Sequence, residues 1–337
     1  MNSTNLMPSF TTHAAYREIF LNDGLWDPVM EAIQLELLEK KVLKVPEHFE
    51  RCRTGSAIVY RSEHHVLKLF SRLWPEEFPR ERAGLKHFSG LSVPVPELVF
   101  CGEFENEPYM LMERLPGDSV VAHWNTMSFA QKKHLITQIG QLMRALKSAG
   151  PAPPNLDPAI QTHWPDFVNA RCESFVGDQI NHGLSENFAH ELHQWLMAHQ
   201  SLILDTSPVL LHCDLTHDHF LVQVDPETSA EASGRYRLTG LIDFGDAMMA
   251  HPLYEMGAPL TFLTAQEPEL RLALLTAYGF GEACQEASRR EALEQQLFCL
   301  WLLHRFVNVP YTLKHIIGVQ EERIERLQKA LFSLSEP

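Results

Sequence analysis

Cationic side chains are scarce in this chain: 28 Lys plus Arg stand against 43 Asp plus Glu, for a formal net charge of −15. A surface so poor in positive charge cannot replace the counterions along a nucleic-acid backbone, which argues against a nucleic-acid partner. The same imbalance favours a small cationic ligand over an anionic one. The six cysteines, at positions 52, 101, 172, 213, 284 and 299, lack the paired spacing of a zinc or dithiol motif. They suit a reducing compartment. The longest apolar run, Leu297 to Leu303, is too short to cross a bilayer. Met1 to Phe10 has neither the basic start nor the apolar core of a secretory signal. The expectation is a cytoplasmic protein without a membrane partner, its oligomeric state open.

Hydrophobic residues make up 45% and charged residues 21%, the balance of a globular chain long enough for two cores. Residues 1–45 read as an N-terminal helical extension, with Trp26, Val29, Ile33 and Leu37 at helical spacing and Pro46 as the stop. Residues 46–115 read as a small sheet with one helix. A glycine turn at Gly55-Ser56 precedes a β-branched run, and His65 to Phe70 follows as a second strand. Alternation puts Lys68 on the same face as Val66 and Phe70, where a solvent-facing lysine on an edge strand is the plain alternative. Pro75 to Phe88 predicts a helix carrying Glu76, Glu77 and Glu81, acids that most often face water. Leu98–Phe104 and Tyr109–Leu115 predict a hairpin, closed by Pro116-Gly117. Residues 116–337 read as mainly helical, with amphipathic stretches over 128–148, 164–175 and 185–204, a long helix over 289–313 and a last one over 321–334. The fold class is therefore α+β, in two lobes of unequal size.

Two apolar strands in the second part end in acids. The first runs into His212-Cys213-Asp214-Leu215-Thr216-His217-Asp218-His219, and the second into Asp243-Phe244-Gly245-Asp246. Phosphoryl transfer needs a cation on the phosphates, acids for one or two metals, and a carboxylate to orient and deprotonate the attacking hydroxyl. Asp214 lies two residues after His212 and five before His219, the spacing of the kinase loop H-R-D-x-x-x-x-N. Asp243 follows 29 residues later, behind a lysine strand and a helix glutamate. Each fragment is weak by itself, and their shared order is what carries weight.

In these segments the chain resembles the aminoglycoside phosphotransferase family, small-molecule kinases with a protein-kinase-like fold, over about residues 50–310. The family's loop commonly reads His-Gly-Asp-Leu-His-Pro-Gly-Asn. The resemblance implies ATP or GTP as phosphate donor, Mg2+ or Mn2+, and a small-molecule hydroxyl acceptor such as an aminoglycoside or another amino-bearing sugar or alcohol. It implies Asp214 as catalytic base and Asp243 as the main metal ligand. Lys68 would hold the α and β phosphates, Glu81 would orient Lys68, Gly55 and Ser56 would form the nucleotide loop, and Met112, Glu113 and Arg114 would receive the adenine.

Two positions depart from the pattern. His219 stands where the family has a metal-binding asparagine. Magnesium prefers oxygen and manganese accepts nitrogen more readily, so His219 predicts a weakened site or a shift toward Mn2+, or else a loop brace. His251 stands where an aspartate would stabilise the turn in Ala250 to Met256, and no role is carried onto it. Glu255, Glu267 and Glu269 are acids that could meet an amino group on the acceptor or face solvent. Two rival readings stay open: a kinase-like nucleotide-binding protein with little or no transfer activity, and an iron(II)/2-oxoglutarate oxygenase using His212-x-Asp214 with His251 or His304.

Overall fold

Thr12 accepts the Ala15 N–H with its side chain and so caps the first helix, α1 (His13–Phe20). In this computed structural model the described residues are 6–53, 55, 57–89, 94–149 and 155–334. They divide into two compact units that meet in sequence between Leu115 and Pro116.

In the first unit, α2 (Asp23–Glu39) buries Trp26, Val29, Met30, Ile33 and Leu37. These side chains pack in one core with Ile58, Tyr60, Leu67, Leu69, Tyr109 and Leu111 from a five-stranded antiparallel sheet. The strands are β1 (Glu50–Cys52), β2 (Ile58–Arg61), β3 (His65–Leu69), β4 (Leu98–Phe104) and β5 (Glu107–Glu113), in the order β1-β2-β3-β5-β4. The N-terminal helices are thus part of the unit's core, tied to it also by Tyr60 Oη donating to Asp27 and Tyr109 Oη to Glu36. Between β3 and β4 runs α3 (Glu77–Ser89). Since β3 lies between β2 and β5, Lys68 stands on a central strand, not on an edge. It points away from the face covered by Leu67 and Leu69.

The second unit holds β6 (Asp118–Ser119), α4 (Val121–Trp124), α5 (Phe129–Ser148), α6 (Trp164–Asn181), α7 (Glu186–His199) and α8 (Ser201–Leu204). Then come β7 (Val209–Leu211), β8 (Phe220–Val224), β9 (Tyr236–Leu241) and β10 (Met248–Ala250). It ends with α9 (Gly257–Phe262), α10 (Pro268–Leu275), α11 (Gly281–Gln285), α12 (Ala287–Leu302), α13 (Val309–Tyr311) and α14 (Ile324–Leu331). Ser128 and Gln131 form a reciprocal capping box that starts α5. Gly117, next to the unit's first residue, takes φ +108°, and a Cβ there would lie 2.4 Å from the Val222 carbonyl oxygen. No larger residue fits that approach to β8. The architecture is α+β: a small antiparallel sheet with helices, followed by a larger, mainly helical unit.

The long helix expected over 289–313 is interrupted. It stops at Leu302, turns through 303–308, and restarts where the Asn308 side chain accepts the Tyr311 N–H and Pro310 occupies the first turn. Residues 312–317 then wind more widely, as a π-helix, until Gly318 ends them in the left-handed region. The break turns His304 and Arg305 inward, and both are used below. The helix expected over 164–175 runs on to Asn181, and the last helix covers only Ile324–Leu331.

Candidate active site

The first unit builds a buried ion pair. Lys68 Nζ lies 2.6 Å from Glu81 Oε2, with the two side chains only 7% and 2% exposed. The acid comes from the buried side of α3, with Ala83, Leu85 and Phe88 among its buried neighbours in sequence. Glu81 is thus on no solvated face, contrary to the usual fate of such an acid. The Lys68 ammonium also sits 5.1 Å from the centre of the Phe70 ring, a favourable cation–π distance. Between β1 and β2, Gly55 takes φ +87° with open space where a Cβ would go, so the turn needs glycine for its backbone and not for lack of room. Ser56 lies outside the described residues. At the end of β5, the Glu113 N–H donates to the Glu97 carbonyl and the Arg114 N–H to the His64 carbonyl, while Arg114 Nη1 donates to the Ser62 carbonyl. Met112 pairs with Val66 and Leu98 across the sheet. The N–H groups of residues 113 and 114 are therefore committed to strand and turn partners.

The second unit builds an acidic centre from two loops, each held at both ends. Residues 212–219 join β7 to β8, and residues 242–247 join β9 to β10. Because Phe220 pairs with Leu241 and Leu211 with Met248, the loops are stapled side by side at entry and exit. The Ile242 N–H donates to the His219 carbonyl across them. His212, wholly buried, braces the pair: its Nε2 donates to the Ile242 carbonyl at 2.9 Å, and its Nδ1 accepts the Asp214 N–H at 3.2 Å. Phe244 meets the same ring edge-on at 4.6 Å. With both ring nitrogens spent on backbone, His212 is no iron ligand, and the His212-x-Asp214 oxygenase reading falls.

Two non-glycine residues at the centre take left-handed backbone, Cys213 at φ +67° and Asp243 at φ +69°. Such conformations cost about 1–2 kcal/mol and persist only where the surroundings impose them. At Cys213 the imposing groups are visible. His304 Nε2 donates to the Cys213 carbonyl at 3.1 Å, and Glu255 Oε2 accepts the neighbouring His212 N–H at 2.7 Å. Burial pushes the Cys213 thiol far above its usual range, so it is an inert filler. Burial likewise raises Glu255 to about 7, partly opposed by the His212 and Cys213 N–H groups. Glu255 is a buried acid beneath the 212–219 loop, not a solvent-facing one. His304 is stacked on Tyr254 and kept neutral by burial, its pKa lowered to about 3.

Three polar side chains converge here. Asp214 is 23% exposed, His219 17% and Asp243 41%. The His219 ring reaches both acids: Nδ1 lies 2.6 Å from the Asp214 carbonyl oxygen and 3.5 Å from Asp214 Oδ2, and Nε2 lies 3.6 Å from Asp243 Oδ2. Burial pushes Asp214 up to about 6; the facing His219 pulls it down, Asp246 and Asp243 push it up, and Arg305 pulls it down. Asp246 is paired: Arg305 Nη1 donates to its carboxylate at 3.0 Å and Nη2 to its carbonyl at 2.5 Å. One carboxylate and one imidazole nitrogen suit a divalent cation that shares its shell with phosphate oxygens and water. Among the described residues no three His, Cys, Asp or Glu side chains converge to hold a metal by themselves.

His251 takes over the turn where an aspartate was expected. Its Nδ1 accepts the Leu253 N–H at 3.1 Å, and burial lowers its pKa to about 4. A neutral imidazole thus supplies the acceptor that a carboxylate would. Farther along, His217 stacks on Phe262, which lines a cavity of about 470 Å³ with Trp124, Lys132, Glu267 and His315. Glu269 lies elsewhere, paired with Lys133 at 2.9 Å. Sequence reasoning missed the bracing roles of Glu255, His304 and Arg305. The available signal was their charge within otherwise apolar stretches, Tyr254-Glu255-Met256 and Leu297 to Val307, where a polar residue must find a partner.

A model of the phosphotransferase enzyme family matches residues 56–292. A homoserine kinase of Burkholderia multivorans is 26% identical over 189 residues, covering 53% of this chain and 52% of its own. The chain spans about half the length of the curated relatives it matches. Among solved structures, the apo form of a thermostable mutant of aminoglycoside phosphotransferase APH(4)-Ia superposes with a TM-score of 0.55 at 19% identity, covering 80% of this chain and 89% of that one. The streptomycin–ATP–APH(2″)-IIa ternary complex does so with a TM-score of 0.54 at 15% identity, covering 88% and 96%. At such identities these structures speak to the fold. Among the described residues no helix is long and apolar enough to cross a membrane.

Proposed function

The chain belongs to the phosphotransferase enzyme family, and we propose that it moves the γ-phosphate of ATP to a hydroxyl of a small, amine-bearing molecule. The observation that carries the reading is the convergence of Asp214, His219 and Asp243 on two stapled loops. Asp214 is the base. It is partly exposed, and burial with two neighbouring acids raises its proton affinity, which suits a group that must accept a hydroxyl proton near neutral pH. It orients the acceptor oxygen and takes its proton as the oxygen–phosphorus bond forms and the bond to the leaving nucleoside diphosphate breaks. Lys68, held by Glu81, neutralises phosphate oxygens of the donor. Asp243 and His219 would hold the divalent cation, which when bound spreads the charge that develops on the phosphates.

The acceptor class follows from chemistry shared by two similar proteins. Homoserine is a zwitterionic amino acid with a side-chain hydroxyl and streptomycin a cationic, hydroxyl-rich sugar, so a nitrogen-bearing alcohol is common to both, and the net charge of −15 favours the cationic members of that class. Choline-like amines and other sugars belong in the same screen. The test is nucleoside diphosphate release from ATP, with GTP in parallel, across homoserine, aminoglycosides and simple amino alcohols. Asp214→Ala should lower acceptor-dependent release by about 10²–10⁴-fold while leaving the unfolding midpoint within a few degrees of the parent. Full activity in that variant would remove Asp214 as the base.

A further inference from the structure

We infer that His219 and Asp243 form a mixed nitrogen–oxygen half-site that selects a first-row transition cation such as Mn2+ over Mg2+. The inference rests on the phosphotransfer reading for the source of the remaining ligands. The ring's tautomer follows from its surroundings. His219 Nδ1 lies 2.6 Å from the Asp214 carbonyl oxygen, an atom that can only accept, so Nδ1 carries the proton. In the neutral ring the lone pair then belongs to Nε2, the atom 3.6 Å from Asp243 Oδ2. Metal bonds of about 2.1 Å on each side bring one cation within reach of both atoms.

The ring is held in that orientation. The backbone N–H of His219 donates to the Thr216 carbonyl, the backbone carbonyl of His219 accepts the Ile242 N–H from the acid loop, and the His212 ring stands 5.8 Å from the His219 ring. An asparagine amide presents an NH2 group as donor and an oxygen as acceptor. A neutral imidazole with Nδ1 protonated offers the same pair, with nitrogen in place of the ligating oxygen. His219 therefore preserves the brace to Asp214 and changes only the donor atom facing the cation. Magnesium binds oxygen and dehydrates reluctantly, whereas first-row transition cations accept imidazole. With no third protein ligand converging among the described residues, nucleotide phosphate oxygens and water complete the shell, and the one nitrogen weighs heavily in the choice.

The experiment is pulsed electron paramagnetic resonance of Mn2+ bound to the full chain with ADP. The expected signal is a nitrogen coupling from a directly bound imidazole, which changes isotope pattern when the protein is labelled with 15N-histidine. That measurement needs no variant. In His219→Asn the coupling should vanish, and the ratio of Mn2+ to Mg2+ affinity should fall on the order of tenfold. In His217→Asn both should persist. Mn2+ bound without nitrogen coupling, a coupling that survives His219→Asn, an affinity ratio unchanged by that substitution, or no Mn2+ binding at all would each overturn the assignment. A nitrogen-coupled Mn2+ in a protein that phosphorylates no acceptor would instead remove the phosphotransfer reading and leave the half-site standing.

Discussion

The two charged centres are built on opposite principles. In the first unit, Lys68 and Glu81 are an opposite-charge pair, nearly closed to water and held by regular elements, a central strand and a helix. In the second, Asp214 and Asp243 are like charges, partly open, with an imidazole between them and backbone forced into the left-handed region. A sealed pair can hold one charge in one place. An open, like-charged group instead keeps proton affinity high and attracts cations, as the proposed base and metal roles need.

The largest expected effect breaks the sealed pair. Lys68→Met leaves Glu81 buried without its cation and should destabilise the protein by about 3–5 kcal/mol in urea unfolding. The double substitution Lys68→Met with Glu81→Leu should recover most of that loss while remaining unable to turn over nucleotide. A double variant as unstable as the single would mean that packing, not charge, dominates the centre.

Next in size are two opposed titrations beneath the open centre. Glu255, raised from 4.5 to about 7, contributes stability that is present below about pH 4.5 and is lost as pH rises toward 7. His304 and His251, lowered from 6.5 to about 3 and about 4, contribute stability that is present above about pH 6.5 and is lost as pH falls. Within its own window each group alters the slope of unfolding free energy by at most about 1.4 kcal/mol per pH unit. Glu255→Gln should therefore flatten the decline between pH 4.5 and 7, and His304→Gln should flatten the acid limb, both read from denaturant midpoints across pH. Parallel profiles for parent and variants would show that these groups do not titrate with folding.

The smallest effect sharpens the account of the strained backbone. Cys213→Gly relieves about 1–2 kcal/mol of left-handed cost but gives up a buried thiol and adds freedom to the unfolded chain. The net change in stability should stay under about 1 kcal/mol despite complete burial. A loss of 3 kcal/mol or more would show that the thiol's packing holds the loop.

Much of this was legible in the sequence because it is periodic or local. The alternation around Lys68, the helical spacing of Trp26, Val29, Ile33 and Leu37, and the order of His212, Asp214, His219 and Asp243 all concern near neighbours. Partnership across long separations was not legible. A charge in an apolar stretch marks Glu255, His304 and Arg305 as needing a partner, but nothing local names that partner: only the fold sets Glu255 against the His212 N–H and brings His304 and Arg305 to Cys213 and Asp246. Likewise, His251 could be read as a missing aspartate but not as its substitute, since only the fold brings its Nδ1 to the Leu253 N–H.

By itself, then, the sequence determined which chemistry is present and in what order: one lysine strand, two acid loops, and a histidine where an amide was expected. Tertiary structure decided which of those groups are sealed, which stay open, and which nitrogen of His219 faces the acid. The physical reason is that burial and tautomer are set by the groups that the folded chain brings into contact, whatever their separation in sequence. A carbonyl five residues back fixes the proton of His219, while pairing of β7 with β10 and of β8 with β9 places Asp243 beside it.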